Sequence, residues 1–277
     1  MRLLTPSPAR LGRYRTDRAF WSLQAQWRNR RRRQGPAAPP VIASLSDLAG
    51  LLVEFQPDTS FMSMTGTDVD SWFNTAGSDY VTLNYYGDGD GAPVWTPDAL
   101  GTGRNALYFR NGKMRADVSW TCSDLTAVFV GSLDYGNATA SYPRWLSVAR
   151  YGVFEEDYSS PDTWVVAGYE SSLHALIADR NYTRAILAPL DVSLNYIIAT
   201  RKHAGTITAW LRPFGGATTT ASGPTTNAGL IMDTFSVGGN MEPQNLAGLV
   251  AHIGLWSRAL TDTEVLSALN YLGSLYE

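Results

Sequence analysis

Asp88 and Asp90, separated by glycines in the stretch YYGDGDGAP (85–93), offer the hard carboxylate oxygens that a calcium ion takes. No glutamate closes a twelve-residue EF-hand loop after them. The expectation is therefore a solvated acidic turn, with a calcium site on a surface loop of another kind as the alternative. Six further residues have types suited to sugars: Tyr85, Tyr86, Tyr135, Asn137, Tyr142 and Tyr158. They fall in segments that read as loops, where an aromatic face can stack on a sugar ring and an amide can bond its hydroxyls. Carbohydrate binding is the chemistry they point to.

Other constellations lead nowhere. His174, His203 and His252 are far apart, with neither H-x-H nor H-E-x-x-H spacing, so each reads as a packed or surface residue. Gly101, Gly103 and Ala106 imitate a dinucleotide fingerprint, but the run LYF that follows is a strand pattern, and no helix N-terminus would face a phosphate. Cys122 is the only cysteine, which excludes an intrachain disulfide, and the sequence places no general base beside it. The sequons at Asn137 and Asn181 carry no weight without a secretory route. Catalytic residues are not expected, nor any cofactor beyond the calcium.

The charge is unevenly spread. Residues 1–40 hold ten arginines against one acid, Asp17, while residues 41–277 hold twelve basic and 24 acidic residues: a +9 arm on a −12 body. Thr16 or Asp17 can cap a helix whose apolar residues Phe20, Leu23 and Trp27 recur at i, i+3 and i+7, and which stops at Gly35 before Pro36. Arg28, Arg30, Arg31, Arg32 and Arg33 fall in its last turns, where positive charge complements the carbonyl end of the helix dipole. The prolines of GPAAPP then make a stiff spacer. The arm reads as an anchor, with its apolar residues in a groove and its arginines on carboxylates or phosphates. A solvated basic tail is the alternative, and nucleic acid is disfavoured because the acidic body would repel a duplex.

Beyond the arm, residues 41–277 suffice for a single core. The N-terminus lacks the apolar stretch of a secretory signal, and no run of about 18 apolar residues exists to cross a bilayer, so a cytoplasmically made protein without membrane insertion is expected. Short apolar or alternating runs separated by Gly, Pro, Asn and Asp predict eleven strands, at 51–55, 105–110, 125–133, 145–150, 163–169, 173–179, 184–188, 194–201, 205–212, 233–238 and 248–257. The clearest hairpin joins two of them through Lys202, His203, Ala204 and Gly205. One helix closes the chain: Thr261 with Glu264 forms a capping-box pattern ahead of an apolar stripe at Val265, Leu266, Leu269 and Leu272.

FSVGGNMEPQNLAGLVAHIGLWSRALTDTEVLSALNYLGSLY resembles the ending of concanavalin A-like and laminin-G-like jelly-roll domains: a Gly-Gly turn, a strand ending in tryptophan, then R-A-L-T-D-x-E and a helix ending in Y-L. VDSWFNTAGS followed by APVWTPDALGTGRNALYFRNG is similar to the opening half of the same family. The resemblance implies an all-β, concanavalin A-like jelly-roll β-sandwich over residues 41–277, with a short C-terminal helix and the Arg-rich N-terminal arm. It also implies that Trp72, Trp95, Phe109 and Trp256 are packing residues, and that the turn from Arg258 to Asp262 fixes the entry of the helix. Members of this fold often bind calcium or sugar on rim loops. Its glucanases need two carboxylates on an E-x-D-x-x-E strand, and here Glu155-Glu156-Asp157-Tyr158-Ser159-Ser160 has serine where the acid/base glutamate belongs.

A lectin-like body without a secretion signal, carrying a basic arm and a proline-rich spacer, looks like a surface protein of a particle that assembles in the host cytoplasm and leaves by lysis. The expectation is a non-enzymatic head spike, fibre or decoration protein of a tailed phage or gene transfer agent. It would be anchored to capsid or other virion proteins by residues 1–40, homo-oligomeric, and bound to host surface polysaccharide. A purely structural capsid or tail protein and a glycan-cleaving enzyme are the alternatives.

Overall fold

A computed structural model of the chain describes residues 38–87, 91–134, 144–149, 164–167, 175–180, 183–189, 191, 193–225, 230–239 and 246–277. Met1–Pro39 and Pro40–Glu277 are separate units, and every strand and helix described belongs to the second. The described residues form seventeen strands, two single 3-10 turns (Leu45–Asp47 and Thr59–Phe61) and one helix, α1 (Asp262–Tyr276). The all-β expectation with a C-terminal helix holds.

The strands make two antiparallel layers. In the first, β1 (Leu51–Phe55) and β6 (Ala106–Gly112) share one edge of β17 (Leu246–Trp256). On the other edge lie β8 (Leu125–Leu133), β13 (Tyr196–His203), β14 (Thr206–Pro213) and β15 (Thr219–Pro224). The second layer runs β2 (Met62–Thr65), β3 (Asp68–Phe73), β4 (Thr82–Tyr85), β7 (Met114–Cys122), β16 (Leu230–Val237), β9 (Arg144–Ala149), β10 (Trp164–Ala167), β11 (Ala175–Arg180) and β12 (Thr183–Pro189). Between them β5 (Val94–Thr96) pairs with β6 and touches β3.

Strand alternation builds two cores from this arrangement. Phe129 and Ala127 of β8 point between the layers with Ile198, Ile253 and Leu255, against Met114, Trp120 and Phe235 of the second layer. The aromatic contacts of this core are edge-on or tilted, as ring quadrupoles prefer: Phe55 and Trp72 have centroids 5.2 Å apart, Phe129 and Trp145 5.3 Å. The opposite residues of the first layer, Val128, Val130, Ile197, Ala199 and Trp210, face outward and are covered by α1 through Val265, Ala268, Leu269 and Leu272. That double burial is why the middle of β8 reads AVFV (127–130) without a polar break. Trp72, Phe109 and Trp256 are fully buried, as the resemblance implied, and Trp95 is half-buried against the inter-layer core.

The helix is held from both ends. Thr261 Oγ1 accepts from the Glu264 amide at 3.2 Å, and Glu264 Oε2 accepts from the Thr261 amide at 2.7 Å, closing the expected capping box. Its last turn carries no basic residue of its own; Arg104 Nε donates to Leu275 O at 3.1 Å and Arg212 Nη2 pairs with Glu277 at 2.5 Å, so positive charge reaches the helix C-terminus from elsewhere in the fold.

The fold departs from the sequence expectation in strand count and in the hairpin. Strands β2, β3, β4, β5, β7 and β15 were not expected. They are short or carry Asp, Arg, Ser and Thr at alternate positions, and pairing with neighbouring strands overrides their weak propensity. The hairpin turn is Ala204–Gly205 alone, with φ of +45° and +74°; Lys202 and His203 belong to β13. Lys202 is buried, its ammonium donating to Ser123 O. The Gly-Gly turn is explained by packing: Gly238 has φ +83°, and a Cβ there would lie 2.2 Å from Phe109 Cδ1.

Candidate functional site

Strand β4 pairs with β7 so that Asn84 faces Arg115 and Tyr85 faces Met114. The pleat turns Met114, Ala116, Trp120 and Cys122 of β7 into the core and leaves Arg115, Asp117 and Ser119 on the outer face of the second layer. Helix α1 covers only the other layer. On this face, which α1 does not cover, lies a groove of about 350 Å³, lined among the described residues by Asn84, Tyr85, Tyr86, Arg115 and Asp117.

Tyr86 follows directly on β4, and its amide donates to Lys113 O at 3.3 Å, which fixes the ring beside the β6–β7 turn. Lys113 Nζ lies 5.0 Å and Arg115 Cζ 5.2 Å from the ring centroid, both within cation–π range. Arg115 Nη2 also reaches Thr234 Oγ1 at 3.4 Å and Asp117 Oδ1 at 3.5 Å. The two cations are almost wholly enclosed, Lys113 2% and Arg115 9% exposed, whereas Tyr86 is 46% exposed and the Asp117 side chain 90%. Asn84 is held by Ser71, whose Oγ donates to Asn84 Oδ1 at 2.8 Å. One groove thus offers an aromatic surface, an oriented amide, a fixed guanidinium and an exposed carboxylate.

Of the expected sugar-binding residues, Tyr85 and Tyr86 meet here. Tyr135, Asn137, Tyr142 and Tyr158, the calcium candidates Asp88 and Asp90, and the anchoring residues Phe20, Leu23, Trp27, Arg28 and Arg30 to Arg33 lie outside the described residues. Tyr85, Gly112, Leu133, Leu246 and Val237 lie at one end of the sandwich, joined by the registers Tyr85↔Met114, Met114↔Val237, Gly112↔Leu246 and Leu133↔Gly248.

Asn84, Arg115 and Asp117 escaped the sequence reading because neither β4 nor β7 was recognised as a strand. The alternation of Arg115, Asp117 and Ser119 with Met114, Ala116 and Trp120 was the available signal.

The other candidates resolve as structure. His252 is fully buried: a bulge in β17 between Val250 and His252 sets the ring beside α1, with Nε2 2.8 Å from Glu54 Oε1 and Nδ1 3.3 Å from Tyr276 Oη. Tyr276 donates on to Ala251 O at 3.0 Å and Gln56 Nε2 donates to Glu54 Oε1 at 3.0 Å, so the network pins the end of the helix to the sheet. His203 is exposed beside Asp124 at 3.2 Å, and His174 lies outside the described residues. Gly103 donates its amide to Asp98 Oδ1 at 2.6 Å in a loop that leads into β6, a strand, as expected. Cys122 is buried at the end of β7.

No protein-family model matches the chain, and no curated protein matches it. Solved structures do. The chain is similar to Trypanosoma rangeli sialidase, with a TM-score of 0.54 and 14% identity over 93% of this chain and 39% of that one, so it spans about two fifths of the sialidase's length. It is likewise similar to domain 4 of AbnA, a GH43 extracellular arabinanase from Geobacillus stearothermophilus, solved in complex with arabinotriose: TM-score 0.54, 11% identity, 82% of this chain and 98% of that domain. At such identities the likeness shows a shared β-sandwich fold.

Proposed function

We propose that this chain is a non-enzymatic, concanavalin A-like surface protein of a phage-like particle, a head spike, fibre or decoration protein. Residues 1–40 dock it to the particle, and the groove at Tyr86 binds host surface polysaccharide. The observation that carries the reading is the groove itself: two adjacent tyrosines, an amide fixed by Ser71 and a guanidinium fixed on Tyr86, on the face that the helix leaves bare. Such a combination suits a ligand with one apolar ring face and many hydroxyls.

The polarity of the body supports the anchoring half. The chain enters this unit against β17, Leu45 packing near Gly254 and Leu48 O accepting from Trp256 Nε1 at 3.1 Å. From Gly254 to Leu246, the residue beside the groove end, is eight residues of strand or ~27 Å. The entry of the chain at one end of the body and a binding groove at the other suit a host-binding spike. A shallow groove of this size gives weak single-site binding, so several copies on one particle would supply the avidity.

The test is adsorption to isolated host polysaccharide. The wild-type chain is expected to bind; Tyr86→Ala and Asn84→Ala are each expected to weaken binding about tenfold or more, with an unchanged near-ultraviolet circular dichroism spectrum. Variants that bind like wild type would sink the reading, and oligosaccharide release from the polymer would replace it with a glycan-cleaving enzyme.

A further inference from the structure

We infer that Glu54, His252 and Tyr276 form a charge-paired latch, in which a doubly protonated His252 ring fastens the end of α1 to the sheet and lets go when it loses a proton. The latch lies on the helix side of the first layer and does not depend on the glycan reading.

The protons of the cluster can be counted. Tyr276 Oη has a single proton, which it donates to Ala251 O at 3.0 Å. Burial pushes that phenol above its ordinary range, so the proton stays on the oxygen. With its proton committed, Oη can only accept from His252 Nδ1, 3.3 Å away, and Nδ1 therefore carries a hydrogen. On the other side of the ring, Nε2 lies 2.8 Å from Glu54 Oε1, the same oxygen that accepts from Gln56 Nε2 at 3.0 Å. An oxygen placed to accept two bonds is that of a carboxylate rather than the hydroxyl of a neutral acid, so the shared proton belongs to Nε2. Both ring nitrogens donate, and the ring is an imidazolium beside a carboxylate.

Three elements meet at this ring. Strand β1 supplies Glu54, the bulge in β17 supplies His252 and the Ala251 carbonyl, and the last turn of α1 supplies Tyr276. Strand β8 sets apolar Val130 opposite the histidine. The other titratable and charged groups around the cluster, among the described residues, are Tyr271 of α1, Arg104 ahead of β6 and Asp47 of the first 3-10 turn, with Arg212 and Glu277 paired to each other at the helix end. Arg104 and Asp47 are exposed and screened, whereas Glu54 is 3% exposed and in direct contact with the ring. Glu54 is thus the counter-charge. A neutral ring keeps one donor, so one bond of the chain from Glu54 to Ala251 O is given up inside the protein. The fastening is in place while the ring holds both protons and is lost as rising pH removes one; acid strong enough to protonate Glu54 takes away the counter-charge and loosens the latch from the other side.

Nuclear magnetic resonance of the full-length protein, labelled with nitrogen-15 at its three histidines, counts the ring protons directly. His174→Gln and His203→Gln assign the His252 signals by elimination and leave that ring in place. Near neutral pH two directly bonded protons are expected on His252, one on each nitrogen. Glu54→Gln should leave one. Hydrogen exchange of the last-turn amides of α1, read at Glu277, whose amide donates to Gly273 O, should lose about tenfold or more of its protection as rising pH removes the second ring proton. A single proton on Nε2 near neutral pH would mean that Tyr276 donates to the ring, a single proton on Nδ1 would place the other on Glu54, and either result overturns the inference. So does a ring that keeps both protons in Glu54→Gln, or helix-end protection that stays unchanged while the second proton leaves.

Discussion

Arg258 and Glu264 show what one residue pair does here. Arg258 Nη2 donates to Glu264 Oε1 at 2.6 Å and Nη1 to Oε2 at 3.0 Å, while Arg258 Nε donates to Ala49 O at 2.6 Å. The pair therefore ties the helix entry to the segment ahead of β1 as well as closing the turn. Hydrogen bonding from Arg258, aided by the Thr261 amide and hydroxyl and opposed by partial burial, holds the Glu264 carboxyl down from its ordinary 4.5 to about 2. A folded-state pKa below the unfolded one means that this stability is present above about pH 4.5 and is lost as pH falls toward 2. With both side chains partly exposed and screened, the contribution is on the order of 1–2 kcal/mol. Glu264→Gln is expected to lower stability by about that amount at neutral pH and to flatten the acid limb between about pH 5 and 2 in urea titrations. An acid limb identical to that of wild type would refute the assignment. The motif R-A-L-T-D-x-E marked the turn and the capping box in the sequence, but neither the ion pair nor the bond back to Ala49.

Among the elements, the hairpin between β13 and β14 and the strand β7 are instructive. Ala204 at φ +45° occupies a left-handed position that costs a non-glycine residue ~1–2 kcal/mol, and with Gly205 it forms a two-residue turn with both φ positive. Ala204→Asn suits that turn. It should raise stability by about 0.5–1 kcal/mol, which calorimetry would read as a rise of about 1–4 °C in Tm; an unchanged or lower Tm would contradict the turn geometry. Sequence reasoning found this hairpin and misplaced its turn by two residues, because Lys202 looks like a turn residue until its burial in the sheet is known. Strand β7 was missed for the converse reason. Its polar residues are those of an outward face, and their meaning depends on β4 and β16, which lie about 30 and more than 100 residues away in sequence.

For the molecule as a whole, the proposed division of labour makes removal of the arm the decisive change. A chain lacking residues 1–40 is expected to keep the melting transition of the body within about 2 °C, since the described residues of both cores all lie beyond 40. It should also keep its affinity for host polysaccharide and disappear from purified particles. Incorporation at wild-type levels, measured by quantitative immunoblot of particles, would refute the anchoring role. Loss of folding would show instead that the arm belongs to the body.

Short-range patterns encode a large part of this architecture unaided. Short apolar runs mark most strands of the first layer, the 3.6-residue stripe and capping box mark α1, and the charge break near residue 40 marks the proposed arm. The groove exists only in three dimensions. Asn84, Tyr86, Arg115 and Asp117 come together because β4 and β7 pair at one register, and Lys113 and Arg115 share the Tyr86 ring because the turn after β6 returns beneath it. A one-residue slip in that register would send Arg115 into the core and Met114 to the surface. Burial on one face set the register, and no local stretch of sequence contains that information.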